Sequence, residues 1–359
     1  MTALTAPTAD RLNALTLGLE FECYLPTGTS MSQGAAAVSS RLGAPCPVIP
    51  YGQAHQTLTT WKVTTDGSLG DYARGAEFVS PIISGENGDR QIKTVCNALT
   101  DLGATVSKDC GLHVHVGAAG QPLDFFKNLV RIYQAYEGVI DGMMPVSRRR
   151  STNVFCRSLA SVSAAAINNA HSVSALAEAI RLASRAGEQR YHKLNLAAFN
   201  RHRTVEFRQH SGTTDATKTA MWVSICRKMV LAAQRTDLNF GQAVSSQPMN
   251  RARRGTKAHR IGEMLLRAEG VTGREICAEM NWPSVSVPAQ ARSAGLTVVS
   301  QRTGREVRYF AARAEAQTPS TLVISIDGFA DLLSLTDAER AYVTERTANL
   351  SNNAIAWAA

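Results

Sequence analysis

The sequence predicts an α+β fold: residues 1 to about 245 mix short strand-like alternations with longer helical periodicities. Two further observations shape that expectation. Hydrophobic residues make up 44% of the 359 and charged residues 19%, which suits a folded globular chain and excludes wholesale disorder. The charge is also unevenly placed. Residues 251–313 hold twelve Lys and Arg against five Glu, so +7 of the formal +9 falls in that one segment. Such an excess points to a polyanion partner, or to an arginine-rich solvated surface.

In chain order, period-two alternation predicts strands at Thr16–Tyr24, Ala76–Ser80, Leu112–Gly117 and Thr204–His210. Apolar residues at three- and four-residue steps predict helices at Asp89–Leu102, Leu123–Met143, Val173–Ala186 and Ala216–Arg235. Polar, proline-bearing and then basic residues read as a linker at 246–254. The texture then changes. Lys257–Glu269 is amphipathic and closes near Gly270, and Thr272–Met280 opens on a capping box of Thr272 and Glu275. Trp282-Pro283 breaks that helix, and Ser286–Ala294 forms a third. Leu296–Gln301 and Val307–Ala311 flank Arg302-Thr303-Gly304-Arg305 as a hairpin with a basic tip. Three helices followed by a hairpin is the order of a winged helix-turn-helix. An apolar strand at Leu322–Ile326 and a helix near Asp337–Leu350 complete the chain. The expected organisation is a catalytic domain over 1–245, the linker 246–254, a basic domain over 255–313, and a strand/helix extension over 314–359 with no role assigned.

Several function classes drop out. No stretch approaches the roughly 18 apolar residues of a membrane span. The N-terminal residues lack a basic n-region and an apolar h-region, so a cytoplasmic location is expected, in a bacterium or a phage-infected host. Seven scattered cysteines without a CxxC suit reduced thiols rather than a zinc ribbon or disulfide scaffold.

The chemistry-bearing residues sit on the strands. Side chains two apart on a strand share a face. Glu20 and Glu22 therefore project together, opposite Leu19, Phe21 and Cys23. His113 and His115 pair in the same way, as do Glu206, Arg208 and His210. Asp66-Gly67-Ser68-Leu69 turns towards Gly75–Pro81, which carries Glu77 on its polar face. A solvated face, a structural histidine pair or a surface ion pair would explain each alone. Together they describe one polar sheet face carrying several carboxylates, imidazoles and an arginine. Carboxylates held close repel unless protonated or bridged by a cation. Glutamates beside a histidine suit Mg²⁺ or Mn²⁺ better than zinc. Arg148, Arg149, Arg150, Arg201, Arg203 and Arg208 are candidate phosphate-binding cations around this face. Neither GxxxxGK[ST] nor GxGxxG occurs, so a nucleotide would be held by metals and arginines rather than a glycine cradle.

The motifs GLEFE, DGSL with GAEFVSP, CGLHVHVG, RRRSTNVFC, YHKLNLAAF and TVEFRQH occur in this order between about Leu17 and Arg235. In that order they resemble the amidoligase family of glutamine synthetase-like carboxylate–amine ligases. The resemblance implies a curved antiparallel sheet with an ATP and metal funnel on its concave side. It implies metal ligands at Glu20, Glu22, Glu77, His113 and Glu206, and a phosphate- or substrate-facing His115. Arg208 would steady the transferred phosphate, Arg201 and Arg203 would contact nucleotide or carboxylate, and Asp66 would take a supporting or amine-side role. The implied reaction is ATP-dependent: a carboxylate becomes an acyl phosphate, and an amine then displaces phosphate to leave an amide. The chain is too short for the complete N-terminal domain of glutamine synthetase and carries an extra basic module, so the resemblance leaves both site sharing between subunits and an oligomeric state open.

The segment Gly255–Phe310 resembles small winged-helix modules of phage and bacterial proteins. That likeness implies double-stranded DNA as a partner, with a winged-helix fold used for protein contact as the alternative. Ser286, Gln290 and Arg292 would approach the major groove, and Arg302 and Arg305 would meet phosphates. A ligase joined to a DNA reader suggests a substrate linked to DNA. Two alternatives stay open: a metal-dependent hydrolase, which would turn over without ATP, and a DNA-binding regulator whose ligase-like domain only senses a ligand.

Overall fold

The computed structural model describes residues 9–50, 58–71, 73–151, 153–235, 238, 252–253, 255–267, 269–296, 298–303, 306–311 and 325–348. The described elements fall into two compact units, separated near residue 238 and again near residue 323.

The first unit runs α1 (Ala9–Asn13), β1 (Leu17–Tyr24), α2 (Met31–Leu42), β2 (Lys62–Thr64), β3 (Gly75–Val79), α3 (Gly85–Leu102), β4 (Leu112–Gly117) and α4 (Leu123–Met143). It continues with α5 (Ala164–Asn169), α6 (Val173–Ser184), β5 (Leu194–Asn195), α7 (Ala198–His202), β6 (Thr204–Phe207) and α8 (Ala216–Ala233). Six strands form one sheet in the order β2-β3-β1-β4-β6-β5, with every neighbouring pair antiparallel. This is a mixed α/β architecture with helices flanking an antiparallel sheet.

Alternation explains the layering. Leu17, Leu19, Phe21 and Cys23 of β1, Leu112, Val114 and Val116 of β4, and Val205 and Phe207 of β6 are buried on one face. Helices α3, α4 and α8 pack together behind the sheet, with α8 against β4. Trp222 of α8 stands edge-on to Phe207, and Tyr133 of α4 lies 6.2 Å from the same ring. Helix α8 starts where the Asp215 carboxylate accepts from Thr217 N and Lys218 N.

The second unit holds α9 (Lys257–Leu265), β7 (Val271–Thr272), α10 (Gly273–Met280), α11 (Val287–Ser293), β8 (Val298–Thr303) and β9 (Glu306–Ala311). Its three strands are ordered β7-β9-β8. Ile261, Met264, Leu265, Val271, Ile276, Met280, Val287 and Ala291 form its core. The Thr272–Glu275 capping box opens α10 as expected.

The chain then returns to the first unit through α12 (Ile326–Leu332) and α13 (Asp337–Thr347), which pack on α4. Glu339 of α13 pairs with the buried Lys228 ammonium of α8 and accepts from Ser224 Oγ, while Lys228 also donates to Ser334 O at 3.0 Å.

Three expectations need correction. Ser325 caps α12, with its hydroxyl accepting from Gly328 N, and Ile326 is the first residue of that helix, so the expected strand Leu322–Ile326 fails at its last two residues. Residues 322–324 lie outside the described residues. The strand expected over Thr204–His210 ends at Phe207. Beyond it His210 turns to the helix side, its ring 5.5 Å from Trp222, so it does not share the face of Glu206. Helix α9 stops at Leu265 instead of Glu269.

Candidate active site

The opposite face of the six-stranded sheet is polar, and strand register sets its layout. Glu22 lies across from Glu77, Glu20 across from His113, His115 across from Glu206, and Glu206 across from Asn195. Two trios result, Glu20–His113–Glu206 and Glu22–Glu77–His113, each with candidate ligand atoms within 4.8 Å of one another. His113 belongs to both. Its Nδ1 lies 2.8 Å from Glu20 Oε2, and its Nε2 lies 3.6 Å from Glu22 Oε1. Glu22, His113 and Glu206 are buried, while the Glu20 side chain keeps 27% of its surface open and marks the mouth.

Backbone and side-chain donors fix the acids. Gly111 N donates to Glu22 Oε2 at 2.5 Å, and Asn195 Nδ2 donates to Glu206 Oε2 at 2.5 Å. Arg208 Nη1 donates to Glu206 Oε1, while its buried Nε has no acceptor among the described residues. His115 Nδ1 is paired with Thr204 Oγ1 at 2.9 Å, and its Nε2 faces Glu20 Oε1 at 3.4 Å.

The electrostatics split the carboxylates. Burial drives the Glu77 carboxyl well above the usual range, and Glu20, Glu22 and Asp66 push the same way. Burial also opposes the Glu20 and Glu206 carboxylates. Hydrogen bonds from His113 and His115 overcome it at Glu20, and the Arg208 charge overcomes it at Glu206, so both are held low. His115 is raised because Glu206 and Glu20 outweigh its burial. Four carboxylates in one hollow with a proton favoured on Glu77 is the state expected where a divalent cation would relieve the crowding. The donor set of carboxylate oxygens and one imidazole suits a hard divalent cation.

Asp66 caps its own turn, accepting from Ser68 N at 2.6 Å and from Ser68 Oγ, and its charge reaches Glu77. Arg201 lies in the last turn of α7 and Arg203 caps that helix before β6, both exposed, and Arg203 stacks over Phe199. Arg148 departs from its expected role as a phosphate-binding cation. It is buried, and its Nη2 donates to Cys110 O at 2.5 Å, bracing the turn that carries Gly111. Arg149 Nε donates to Met144 O.

Two residues escaped sequence reasoning. Lys62 of β2 is buried on the polar face, where burial pulls its ammonium down against Glu77 and Glu20. The alternation in Trp61-Lys62-Val63-Thr64 carries that signal, but over too few residues to read. His202 meets the His115 ring edge-on at 5.9 Å, and burial and the His115 charge lower its pKa. It lies between the two arginines that the sequence singled out.

In the second unit Ser286, Arg292 and Arg302 are exposed and Gln290 is half-buried, whereas Arg305 lies outside the described residues. Val287 and Ala291 anchor α11 in the core, which turns Pro288 and Arg292 outward. Among the described residues no helix is long and apolar enough to cross a membrane.

A family model described as putative amidoligase enzyme matches residues 13–230. The chain belongs to the amidoligase family. The family match spans β1 to β6 and most of α8, and so contains every acid and imidazole of the polar face, while the basic unit lies beyond it. It makes the chain an enzyme of ligase type. No curated protein matches the chain.

Proposed function

We propose that the chain is an ATP-dependent carboxylate–amine ligase that forms an amide through an acyl phosphate, on a substrate brought to it by double-stranded DNA bound to the basic unit. The convergence of Glu20, Glu22, Glu77, His113 and Glu206 from four strands supports this reading above all. These residues would hold Mg²⁺ or Mn²⁺. A neutral imidazole has a single ring lone pair. With Glu20 on Nδ1, the Nε2 lone pair is left for the trio with Glu22 and Glu77. Such ions, when bound, offset phosphate charge and polarise phosphoryl oxygen.

The chain's own groups supply the rest. A substrate carboxylate oxygen bonds to the γ-phosphorus as the bond to the ADP oxygen breaks, with the Arg208 guanidinium placed to offset the charge that develops. Its vacant Nε donor suits a phosphate oxygen. The amine then loses a proton to a carboxylate such as Asp66, attacks the acyl carbon, and inorganic phosphate leaves. Arg201 and Arg203 at the rim would contact nucleotide or carboxylate.

In the basic unit, the exposed Ser286 and Arg292 with the half-buried Gln290 of the α11 region, and the exposed Arg302 of β8, support a winged-helix reading in which α11 enters the major groove.

ADP release with Mg²⁺ or Mn²⁺ and panels of carboxylates and amines tests the ligase. Glu22→Gln and Glu206→Gln should abolish it, and ADP formation unchanged in both would overturn the reading. Incubation with ATP and modified or unmodified duplexes, followed by digestion, tests the DNA link. A new nucleoside mass is expected, and none with any duplex would remove that half.

A further inference from the structure

Behind the polar face lies a second cluster of charges. Lys193 is fully buried, its ammonium 2.6 Å from Glu137 Oε1 and 2.5 Å from Asp141 Oδ1, both on α4. The remaining acceptors are filled. Glu137 Oε2 accepts from Leu159 N at 2.9 Å, and Asp141 Oδ2 accepts from Arg150 N at 2.8 Å. Gln209 Nε2 donates to Asp141 Oδ1 and to Arg148 O, while its Oε1 accepts from the Tyr133 hydroxyl.

Burial drives the Glu137 carboxyl upward even beside this ammonium. Buried ion clusters of this kind are weak contributors to stability, because apolar residues of the same volume often do as well. Their better-attested use is to fix one arrangement among several. The main chain shows what this one fixes. Lys193 O accepts from Arg208 N at 2.8 Å, and Lys193 N donates to Arg157 O at 3.0 Å. Two residues on, Asn195 holds Glu206. On the other side of Arg208, Gln209 is tied to Asp141. Arg208 is thus held from both flanks by groups that converge on the Asp141 carboxylate.

We propose that Lys193, locked between Glu137 and Asp141, is a positioning residue that sets Arg208 at the phosphate end of the site. This rests on the reading of Arg208 given under Proposed function. The ammonium touches no substrate; it acts through the backbone of β5 and the start of the segment after β6. Displacement of a phosphate-binding group by about 1 Å is enough to cost on the order of a hundredfold in rate.

The test uses the full chain, Mn²⁺ alone, and Mn²⁺ with the non-hydrolysable nucleotide AMP-PNP. The triple variant K193M/E137Q/D141N removes every charge of the cluster, so no unpaired ion is left buried, and Gln209→Met severs the other flank without touching a charge. Both variants should bind Mn²⁺ within about threefold of wild type, because Glu22 and Glu77 stand on β1 and β3, away from β5. Both should lose about tenfold or more in AMP-PNP affinity. Added to Arg208→Gln, neither should lower that affinity further, since the effect runs through Arg208.

AMP-PNP affinity unchanged in both variants would overturn the inference, as would losses that multiply in the Arg208→Gln background. A wild-type chain that binds Mn²⁺ but no AMP-PNP would instead fail the underlying reading, and the inference with it.

Discussion

Glu20 and His113 face each other directly across the β1–β4 ladder, and the carboxylate meets Nδ1 at 2.8 Å. This contact orients the ring so that Nε2 turns towards Glu22. For a cation at the Glu22–Glu77–His113 trio, Glu20 is then the outer acid that supports the imidazole, a carboxylate–histidine–metal arrangement in which the outer acid tunes the ligand. Glu20→Gln should therefore weaken Mn²⁺ binding by about 10- to 100-fold. Glu22→Gln should abolish it. Titration of free Mn²⁺ by paramagnetic resonance would separate the two, and equal losses would contradict this division of roles.

Gly111 predicts a second outcome. A Cβ there would lie 2.7 Å from His113 Nε2 and 3.3 Å from Glu22 Oε2, so the methyl group would occupy the space a cation needs. Gly111→Ala should push His113 aside and abolish Mn²⁺ binding, at a stability cost of about 1–3 kcal/mol, the usual range for overpacking. Thermal melts run beside Mn²⁺ titrations check both halves. A variant that binds Mn²⁺ normally would contradict the placement of the His113 ring.

His210 sets a pH dependence. Burial against Trp222 holds its folded-state pKa at about 4, below the usual value of about 6.5 for an unfolded histidine. The unfolded chain therefore binds the extra proton between those values. The stability from a neutral His210 is fully present above pH ~6.5 and fades as pH falls towards 4, by at most about 3 kcal/mol. Denaturant melts of wild type and His210→Gln at several pH values should show the difference between them shrinking on acidification. A difference independent of pH would rule this out.

The Lys228–Glu339 pair joins α13 to α8 with both partners buried. Removal of one partner leaves a buried charge uncompensated, and Glu339→Ala should cost about 3–5 kcal/mol. The double replacement K228M/E339L should recover most of that loss. Equilibrium unfolding gives both numbers, and equal destabilisation by the single and double changes would count against the pairing argument.

If the basic unit meets DNA as proposed, Arg302→Ala should weaken duplex binding alike for all sequences. It should also reduce the slope of log affinity against log salt by about one. An unchanged slope would move the interface away from the hairpin.

Much of the polar face was legible because alternation is a local property of the backbone. The run from Leu112 to Gly117 places both imidazoles on one side without help from the rest of the fold, and the same holds for Glu20 and Glu22. Other features depend on contacts that pattern cannot carry. The burial of Arg148 against Cys110 O, and the bonds from Lys193 to acids more than fifty residues away, arise only in the folded chain. His210 escapes the alternation because β6 ends three residues before it. Helix α2, rich in Ala and Ser, has too few large apolar residues to announce a helix, although its Ser30–Gln33 capping box is present in the sequence.

The return of α12 and α13 to α4 makes the first unit discontinuous along the chain. One cleaved peptide bond between Arg235 and Ser325 would yield two fragments, each holding part of one interior. Those fragments should co-migrate under native conditions and separate only in denaturant. The same layout would let a gene broken at that point be expressed as two open reading frames whose products reassemble.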